Sequence, residues 1–170
     1  LDTAFNNWVD AQTAAFSIAN GCSPVLTNDS ATASIPVLCD GGATTITWTI
    51  TDLCQTITET ADFTVTAPVA ITYTAPASDN SNTCDYTDQN ALDTAFNNWV
   101  DAQTAAFSIA NGCSPVLTND SATASIPVLC DGGATTITWT ITDLCQTITE
   151  TADFTVTAPV AITYTAPASD

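Results

Sequence analysis

Lysine, arginine, histidine and methionine are absent from this chain of 170 residues, so its 18 acidic side chains have no basic counterpart and the formal net charge is −18. Without histidine there is no imidazole for general acid–base work or for a Ser-His pair. Without lysine and arginine there is no Schiff-base amine and no guanidinium to bind a carboxylate. The composition therefore excludes most catalytic arrangements, and we predict that the protein is not an enzyme.

The same absences limit the partners. Nucleic acid binding depends on basic side chains that neutralise phosphates, so we expect no nucleic-acid partner. No apolar run reaches the roughly 18 residues of a membrane-spanning helix, and no signal peptide with a basic start is present. The hydrophobic fraction of 45% is ordinary for a globular protein, which predicts a folded chain despite its charge.

The most informative feature is an internal repeat. Residues 1–79 are identical to residues 92–170, so Leu1 corresponds to Leu92, 91 residues further on. A period of this length is the size of one small β-domain. Proline interrupts the strand-like "TVTAPVAITYTAP", which places boundaries at Pro68 and Pro159. We predict a truncated repeat over 1–68, a complete repeat over 69–159 and the first strand of a following repeat over 160–170, and we expect a longer natural chain.

Alternating apolar and polar residues predict the strands. "VAITYTA", residues 69–75, would place Val69, Ile71 and Tyr73 on one face. "ATTITWTIT" and "TITETADFTVTA" would form a hairpin around the short "DLCQ" turn. Glu150 falls in the inward phase of the second hairpin strand, so we expect a β-bulge or a sheet edge there.

One segment has helical periodicity. "NALDTAFNNWVDAQ", residues 90–103, places Leu92, Phe96 and Trp99 with Val100 on one stripe, and Asp88 or Thr87 is the expected N-cap. The stripe should cover a sheet. The predicted core comprises Ile71, Tyr73, Leu92, Phe96, Trp99, Phe107, Ile109, Ile126, Val128, Ile137, Trp139, Ile141, Phe154 and Val156.

The seven cysteines recur at four per period and contain no CxxC spacing, which favours disulfides in an oxidising, extracellular setting over zinc or redox chemistry. Strand directions place Cys84 and Cys130 at one end of the domain and Cys113 and Cys145 at the other. We therefore predict the pairs Cys84–Cys130, Cys113–Cys145 and, by the repeat, Cys22–Cys54. The main rival pairs Cys84 with Cys113. Cys39 is expected to lack a partner within residues 1–170.

Two further patterns are candidate sites. The segment "SDNSNTCDYTD" offers the oxygen ligands that calcium prefers, in a loop whose ordinary role would be helix capping. The motif "NDSA" contains an Asn-x-Ser sequon and resembles an Asp-Ser-aliphatic O-glycosylation signal. No other cofactor is expected. The calcium candidates are Asp79, Asn82, Asp85 and Asp88, and the glycosylation candidates are Asn28, Ser30, Asn119 and Ser121.

Motifs spread over the whole repeat, "TCDYTDQNALDTAFNNWVDAQ", "GCSPV", "PVLCDGGATTITWTITDLC" and "TADFTVTAP", resemble the HYR-like, immunoglobulin-type tandem repeats of giant cell-surface adhesins of gliding Bacteroidota such as Flavobacterium. The resemblance implies export by the type IX route and an adhesive tip elsewhere in the protein. The expected fold is mainly β: tandem Ig-like β-sandwiches, each with a short helix after its first strand.

We therefore expect a structural stalk or filament repeat of a secreted adhesin, located at the cell surface. Its partners would be neighbouring repeats, parallel chains in a filament, and a surface or glycan target bound by the tip. The alternative function is a repeat that itself binds a glycan or a calcium-dependent partner. Thr rows on "TTITWTIT" and the tryptophans could serve such binding, but their usual roles are a pleated polar surface and a core.

Overall fold

A computed structural model of the protein describes residues 1–167, and the chain divides into two compact units. Unit 1 comprises Leu1–Val69, and unit 2 begins at Ala70. The division lies one residue from the predicted boundary at Pro68. Because the two units share most of their sequence, each can be compared with the other position by position at an offset of 91 residues.

Unit 1 consists of one helix and one antiparallel sheet. Helix α1 spans Asp2–Ala15, and the strands are β1 (Val25–Asn28), β2 (Gly42–Thr51) and β3 (Thr56–Val65) in the order β1-β2-β3. Its core is formed by Phe5 and Val9 from the helix and Ile46 and Trp48 from the sheet.

Unit 2 has the same elements with one strand more. Strand β4 (Asp79–Asn82) precedes helix α2 (Gln89–Ala106), which is followed by β5 (Val116–Asn119), β6 (Gly133–Thr142) and β7 (Thr147–Thr157). The sheet order is β4-β7-β6-β5, and β4 runs parallel to the end of β7, from Asp79 opposite Phe154 to Asn82 opposite Thr157. The β5-β6 and β6-β7 pairs are antiparallel.

The hairpin β6-β7 forms as the alternation predicts. Ile137, Trp139 and Ile141 are all at most 1% exposed, whereas the threonines between them face outward or remain half-buried. Their apolar face is covered by α2 through edge-on ring contacts, with 5.4 Å between the centroids of Phe96 and Phe154. The helix thus supplies the second layer that buries the sheet, worth about 1.5 to 3 kcal/mol for each large side chain.

The expected strand over residues 69–75 is wrong. These residues form only an isolated bridge, between Thr72 and Ala110, and the strand in this region is instead β4, which the sequence favoured as a polar loop. Within "VAITYTA", Ile71 is buried and Tyr73 is half-buried, but Val69, which has the same phase, is 68% exposed. The side chains alternate without a neighbouring strand to complete a ladder.

One core assignment is wrong, and one of the two alternatives given for Glu150 is correct. Val128 was placed in the core but is 54% exposed, since it lies in the turn before β6 and the adjacent Leu129 packs on the core instead. No bulge occurs near Glu150, which pairs in regular register with Trp139. The expected sheet edge is present there, because β4 pairs with β7 only from Phe154 onward.

The expectation of a mainly β protein with a small helical part is confirmed. The Ig-like sandwich stays a prediction, because the described strands of each unit form a single sheet covered by a helix. The strand expected over 160–170 is absent from residues 160–167, which follow β7 without regular secondary structure and with Val160, Ile162 and Tyr164 at least 85% exposed. Positions 168–170 of that prediction lie outside the described residues.

Candidate functional site

The turn of each hairpin is organised by one aspartate. Asp143 accepts hydrogen bonds from the backbone N–H groups of Cys113 (2.9 Å), Cys145 (2.8 Å) and Gln146 (2.8 Å). In unit 1, Asp52 accepts the corresponding bonds from Cys22, Cys54 and Gln55. The bonds from Cys113 and Cys145 lower the pKa of Asp143, and those from Cys54 and Gln55 lower the pKa of Asp52. Each carboxylate thus ties the loop after the helix to the hairpin turn.

This arrangement brings together the cysteines that strand direction had assigned to one end, but the predicted bonds are not formed. Cys22, Cys54, Cys84, Cys113 and Cys130 are free thiols, so the structure contains neither Cys22–Cys54 nor Cys84–Cys130. Cys113–Cys145 is also wrong, since Cys113 is free while Cys145 is disulfide-bonded.

Cys39 is disulfide-bonded as well, so the expectation that it lacks a partner was wrong. That expectation had assumed that Cys39 bonds the counterpart of Cys84, which would precede Leu1. Cys84 lies instead in an exposed 3-10 turn after β4, with its N–H bonded to Asn82. The presence of a disulfide fits an extracellular protein.

The calcium candidates are engaged in capping. Asn82 accepts a hydrogen bond from the N–H of Cys84, and Asp85 accepts one from the N–H of Asn82, which together form a capping box. Asp88 is the N-cap of α2 and accepts from the N–H of Ala91. Asp79 begins β4. Within residues 1–167, no group of three or more His, Cys, Asp or Glu side chains is arranged to hold a metal ion.

The glycosylation candidates lie in a tight local turn. Asn119 Oδ1 accepts from both the N–H and the hydroxyl of Ser121, at 3.1 and 2.6 Å, and Asn28 and Ser30 form the same pair. Asn28 is exposed, while Ser30, Asn119 and Ser121 are half-buried. The aspartate between them also has a structural role. Asp120, the residue after the end of β5, accepts a hydrogen bond from the backbone N–H of Thr138 in β6.

Both tryptophans of unit 2 belong to the core, as predicted. Trp139 is fully buried and Trp99 is 8% exposed. The Trp139 indole donates to Thr104 Oγ1 at 2.9 Å, and the Trp99 indole donates to the carbonyl of Ala77 at 3.1 Å. Neither ring is available as a carbohydrate platform in unit 2.

A segment that sequence reasoning treated as a simple strand crosses the end of unit 2. This crossing segment, residues 70–78, inserts Ile71 against Gly112, where an added Cβ would lie 2.6 Å from Ile71 Cγ1. Thr72 exchanges backbone hydrogen bonds with Ala110 at 3.0 and 2.8 Å. Tyr73 donates to Glu150 and stacks on Phe107, with 6.4 Å between ring centroids.

In unit 1 the corresponding surface is open. A cavity of about 400 Å³ is lined by residues 17–21 together with Pro24, Ile50, Ile57 and neighbouring polar groups. Gly21 is the counterpart of Gly112, and its surroundings contain no residue in the place of Ile71. Ile50 is half-buried although its counterpart Ile141 is 1% exposed. We call this cavity and the adjoining outer edge of β3 the groove.

Comparison with known proteins gives little further information. No family model and no curated protein matches the chain. Among solved structures it is similar to an endo-fucoidan hydrolase variant of glycoside hydrolase family 107, with 12% identity and a TM-score of 0.28. The match covers 82% of this chain and 24% of that one, so the chain spans about a quarter of the length of the hydrolase. A similarity this low carries no argument about fold or activity. No helix within residues 1–167 combines the length and apolar character needed to cross a membrane.

Proposed function

We propose that the protein is a structural repeat of a long secreted cell-surface adhesin, acting as a stalk or filament that supplies reach and stiffness without catalysis. The observation that carries the proposal is the repetition of a self-contained unit. Each copy has its own helix, sheet and buried aromatic core, and the sequences of the two copies are identical over 79 residues. Tandem units of this kind build extended molecules, because each needs only local contacts to fold.

The HYR-like, Ig-type resemblance supports the same assignment and adds a Bacteroidota cell surface, gliding motility and type IX secretion to it. The composition is consistent with a location outside the cell. The chain contains no lysine or arginine at which trypsin could cleave, and its uniform negative charge opposes non-specific self-association. A disulfide fits the same compartment.

The alternative is a repeat that binds a ligand itself, a glycan or a calcium-dependent partner. The groove of unit 1 is the observation in its favour. In unit 2, however, the protein's own residue Ile71 occupies the equivalent position over Gly112. We therefore prefer the structural role.

Electron microscopy of the intact secreted product tests the proposal. Thin fibres beaded at a regular spacing are expected, whereas compact globules would contradict it. Melting the chain with and without EDTA tests the alternative. A lower melting temperature in EDTA would favour a calcium-dependent role, and an unchanged one would remove that version of the alternative.

A further inference from the structure

The first and the last strand of unit 2 are neighbours in its sheet. Strands β4 and β7 run parallel, with Asp79 opposite Phe154 and Asn82 opposite Thr157. The chain enters β4 at Asp79 and leaves β7 at Thr157, which are opposite ends of the paired stretch. A pull on the chain on both sides of unit 2 therefore draws the two strands in opposite directions along their length.

A load in this direction acts on the β4-β7 pair in shear. Interstrand hydrogen bonds lie across the strands, so strands that slide past one another load all of these bonds together. Strands that are pulled apart from one end break their bonds one at a time. Because β4 and β7 are adjacent, with β6 and β5 beyond them, the load passes directly from the first strand to the last.

Side chains extend the β4-β7 ladder at both of its ends. Before β4, the Ser78 hydroxyl oxygen accepts a hydrogen bond from the N–H of Asp153 at 3.0 Å. After β4, Thr83 Oγ1 donates to the carbonyl of Thr157 at 2.8 Å, and Thr83 is only 7% exposed. Residues 78–83 and 153–157, here called the clamp, are thus bonded over the whole of β4 and one residue on each side of it.

The sequence of β4 indicates that hydrogen bonds, and not apolar burial, hold this strand in place. Its four residues are "DNSN", and none of them belongs to the hydrophobic core of unit 2. Asp and Asn are depleted in strands, so local propensity does not explain β4 either. Each hydrogen bond adds little to equilibrium stability because water competes for the same groups, but its strength falls steeply with displacement. Such a ladder opposes sliding more than it adds to the free energy of unfolding.

The crossing segment carries a load before it reaches the clamp. Thr72 exchanges two backbone bonds with Ala110, and the N–H of Ala77 donates to Gln103 of α2 at 2.8 Å. These contacts are separated from one another along the chain, so we expect them to break singly. The clamp is where several bonds between unit 2's first and last strands resist at once.

We propose that the clamp is a load-bearing element, which keeps a complete repeat folded while the chain is under tension. The proposal rests on the stalk function proposed above, because a stalk that joins a cell to a surface carries tension along its chain. It adds a mechanical role to the repeat and assigns that role to hydrogen bonds between β4 and the last residues of β7.

Single-molecule force spectroscopy of the 170-residue chain, held by its two ends in reductant, tests the proposal. Reductant opens disulfides, which would otherwise carry part of the load. T83V keeps the shape of the side chain and removes the bond to Thr157. At constant force, unit 2 of T83V should unfold roughly tenfold faster than in the wild type, the change in rate that corresponds to the loss of about one hydrogen bond.

The matched control is T135V. Thr83 and Thr135 are the buried polar side chains of the described residues, at 7% and 8% exposed, and each donates to a backbone carbonyl. Thr135 lies in β6 and bonds to Ser125, outside the clamp. Both variants should melt below the wild type, but under force T135V should unfold at close to the wild-type rate.

S78A is a milder second variant. Ser78 is exposed, so its replacement should barely change the melting temperature, but it removes the bond from Asp153 and should also speed unfolding under force. Circular dichroism verifies the fold of each variant, and S78A decides the matter if T83V does not fold.

Equal acceleration by T83V and T135V would overturn the proposal, because resistance would then follow overall stability and not the clamp. A wild-type unfolding rate for S78A under force would overturn it as well. Compact globules in electron micrographs of the intact product would contradict the stalk function without altering any of these rates, so the two failures are distinguishable.

Discussion

The hydroxyl of Tyr73 lies 2.5 Å from a carboxylate oxygen of Glu150, to which it donates a hydrogen bond. Glu150 has the inward phase of β7, beyond Ala152 and Phe154, where a carboxylate without a partner would be costly. The crossing segment supplies that partner at the point where β4 no longer accompanies β7. The hydrogen-bonded pair of Tyr73 and Glu150 thus covers the part of the apolar face of β7 that lies beyond the end of β4.

We expect Y73F to lower the melting temperature of unit 2 by a few degrees, because the phenol would no longer bond Glu150. Y164F is the matched control. It makes the same change in an identical sequence, but Tyr164, in the chain that follows β7, is 85% exposed, and the melting temperature should not change. Equal effects of the two substitutions on a dilute, monomeric sample would contradict the role assigned to the Tyr73–Glu150 bond.

The same bond predicts a dependence on alkaline pH. The hydrogen bond to Glu150, followed by burial and the Glu150 charge, raises the pKa of Tyr73 above its ordinary value of 10.0. A raised pKa means that the contribution to stability is complete below pH 10.0 and is lost as the pH rises through the folded-state pKa. The difference in melting temperature between wild type and Y73F should therefore be constant near neutral pH and shrink above pH 10.0. A difference that grows in alkali would contradict this assignment.

A second prediction concerns the hydroxyl that joins helix to sheet. Thr104 Oγ1 accepts from the buried Trp139 indole at 2.9 Å and donates to the carbonyl of Val100 at 2.7 Å. T104V keeps the shape but leaves the indole N–H unsatisfied, which should reduce the free energy of unfolding by about 1 to 3 kcal/mol.

The control for T104V is T94V on the same helix. Thr94 is exposed and donates only to the carbonyl of Asn90, so its replacement should have little effect. Chemical denaturation followed by tryptophan fluorescence measures both variants. A loss in T94V as large as that in T104V would show that helix propensity, and not the indole bond, is responsible.

The sequence predicted those elements whose signal is local. Alternation in "TTITWTIT" was sufficient for the β6-β7 hairpin, and the stripe of Leu92, Phe96 and Trp99 was sufficient for α2 and its contact with the sheet. The Asp88 cap follows from the same local logic. These features depend on the spacing of apolar and polar residues within a single helix or strand.

The elements that were missed depend on long-range partners. "SDNSN" has the composition of a loop, and β4 forms because the edge of β7 accepts it. "VAITYTA" has the alternation of a strand, but the chain there crosses the end of the sheet and makes only one bridge. The role of Asp143 was likewise invisible, since its two cysteine partners are brought together only by the fold.

A third prediction follows from Asp143. Hydrogen bonds from the N–H of Cys113, then Cys145 and Gln146, hold the pKa of its carboxyl below the ordinary value of 3.8. A lowered pKa contributes stability that is present above the unfolded-state value and is lost as the pH falls through the folded-state one. We expect D143N to lower the melting temperature of unit 2 near neutral pH and to differ less from the wild type in acid below pH 3.8.

The control for D143N is D131N, because Asp131 lies in the same unit and is exposed to solvent, but its carboxylate accepts no such set of backbone bonds in the described chain. It removes the same charge, so a general relief of repulsion would appear equally in both variants. Melting temperatures measured across the acid range separate the two effects. If D143N and D131N behaved alike at every pH, the carboxylate of Asp143 would have no special role in the turn.

The final prediction isolates the side chain that fills the end of unit 2. Ile71 is 8% exposed and packs on Gly112, so I71A should leave a cavity and cost about 2 to 5 kcal/mol in unit 2. I162A makes the same change in the chain that follows β7, where the side chain is 92% exposed, and should leave the stability unchanged. Calorimetry should show I71A lowering the unfolding transition of unit 2 toward that of unit 1, whose groove already lacks this isoleucine. If I71A left that transition in place, the packing of Ile71 on Gly112 would not contribute to the stability of unit 2.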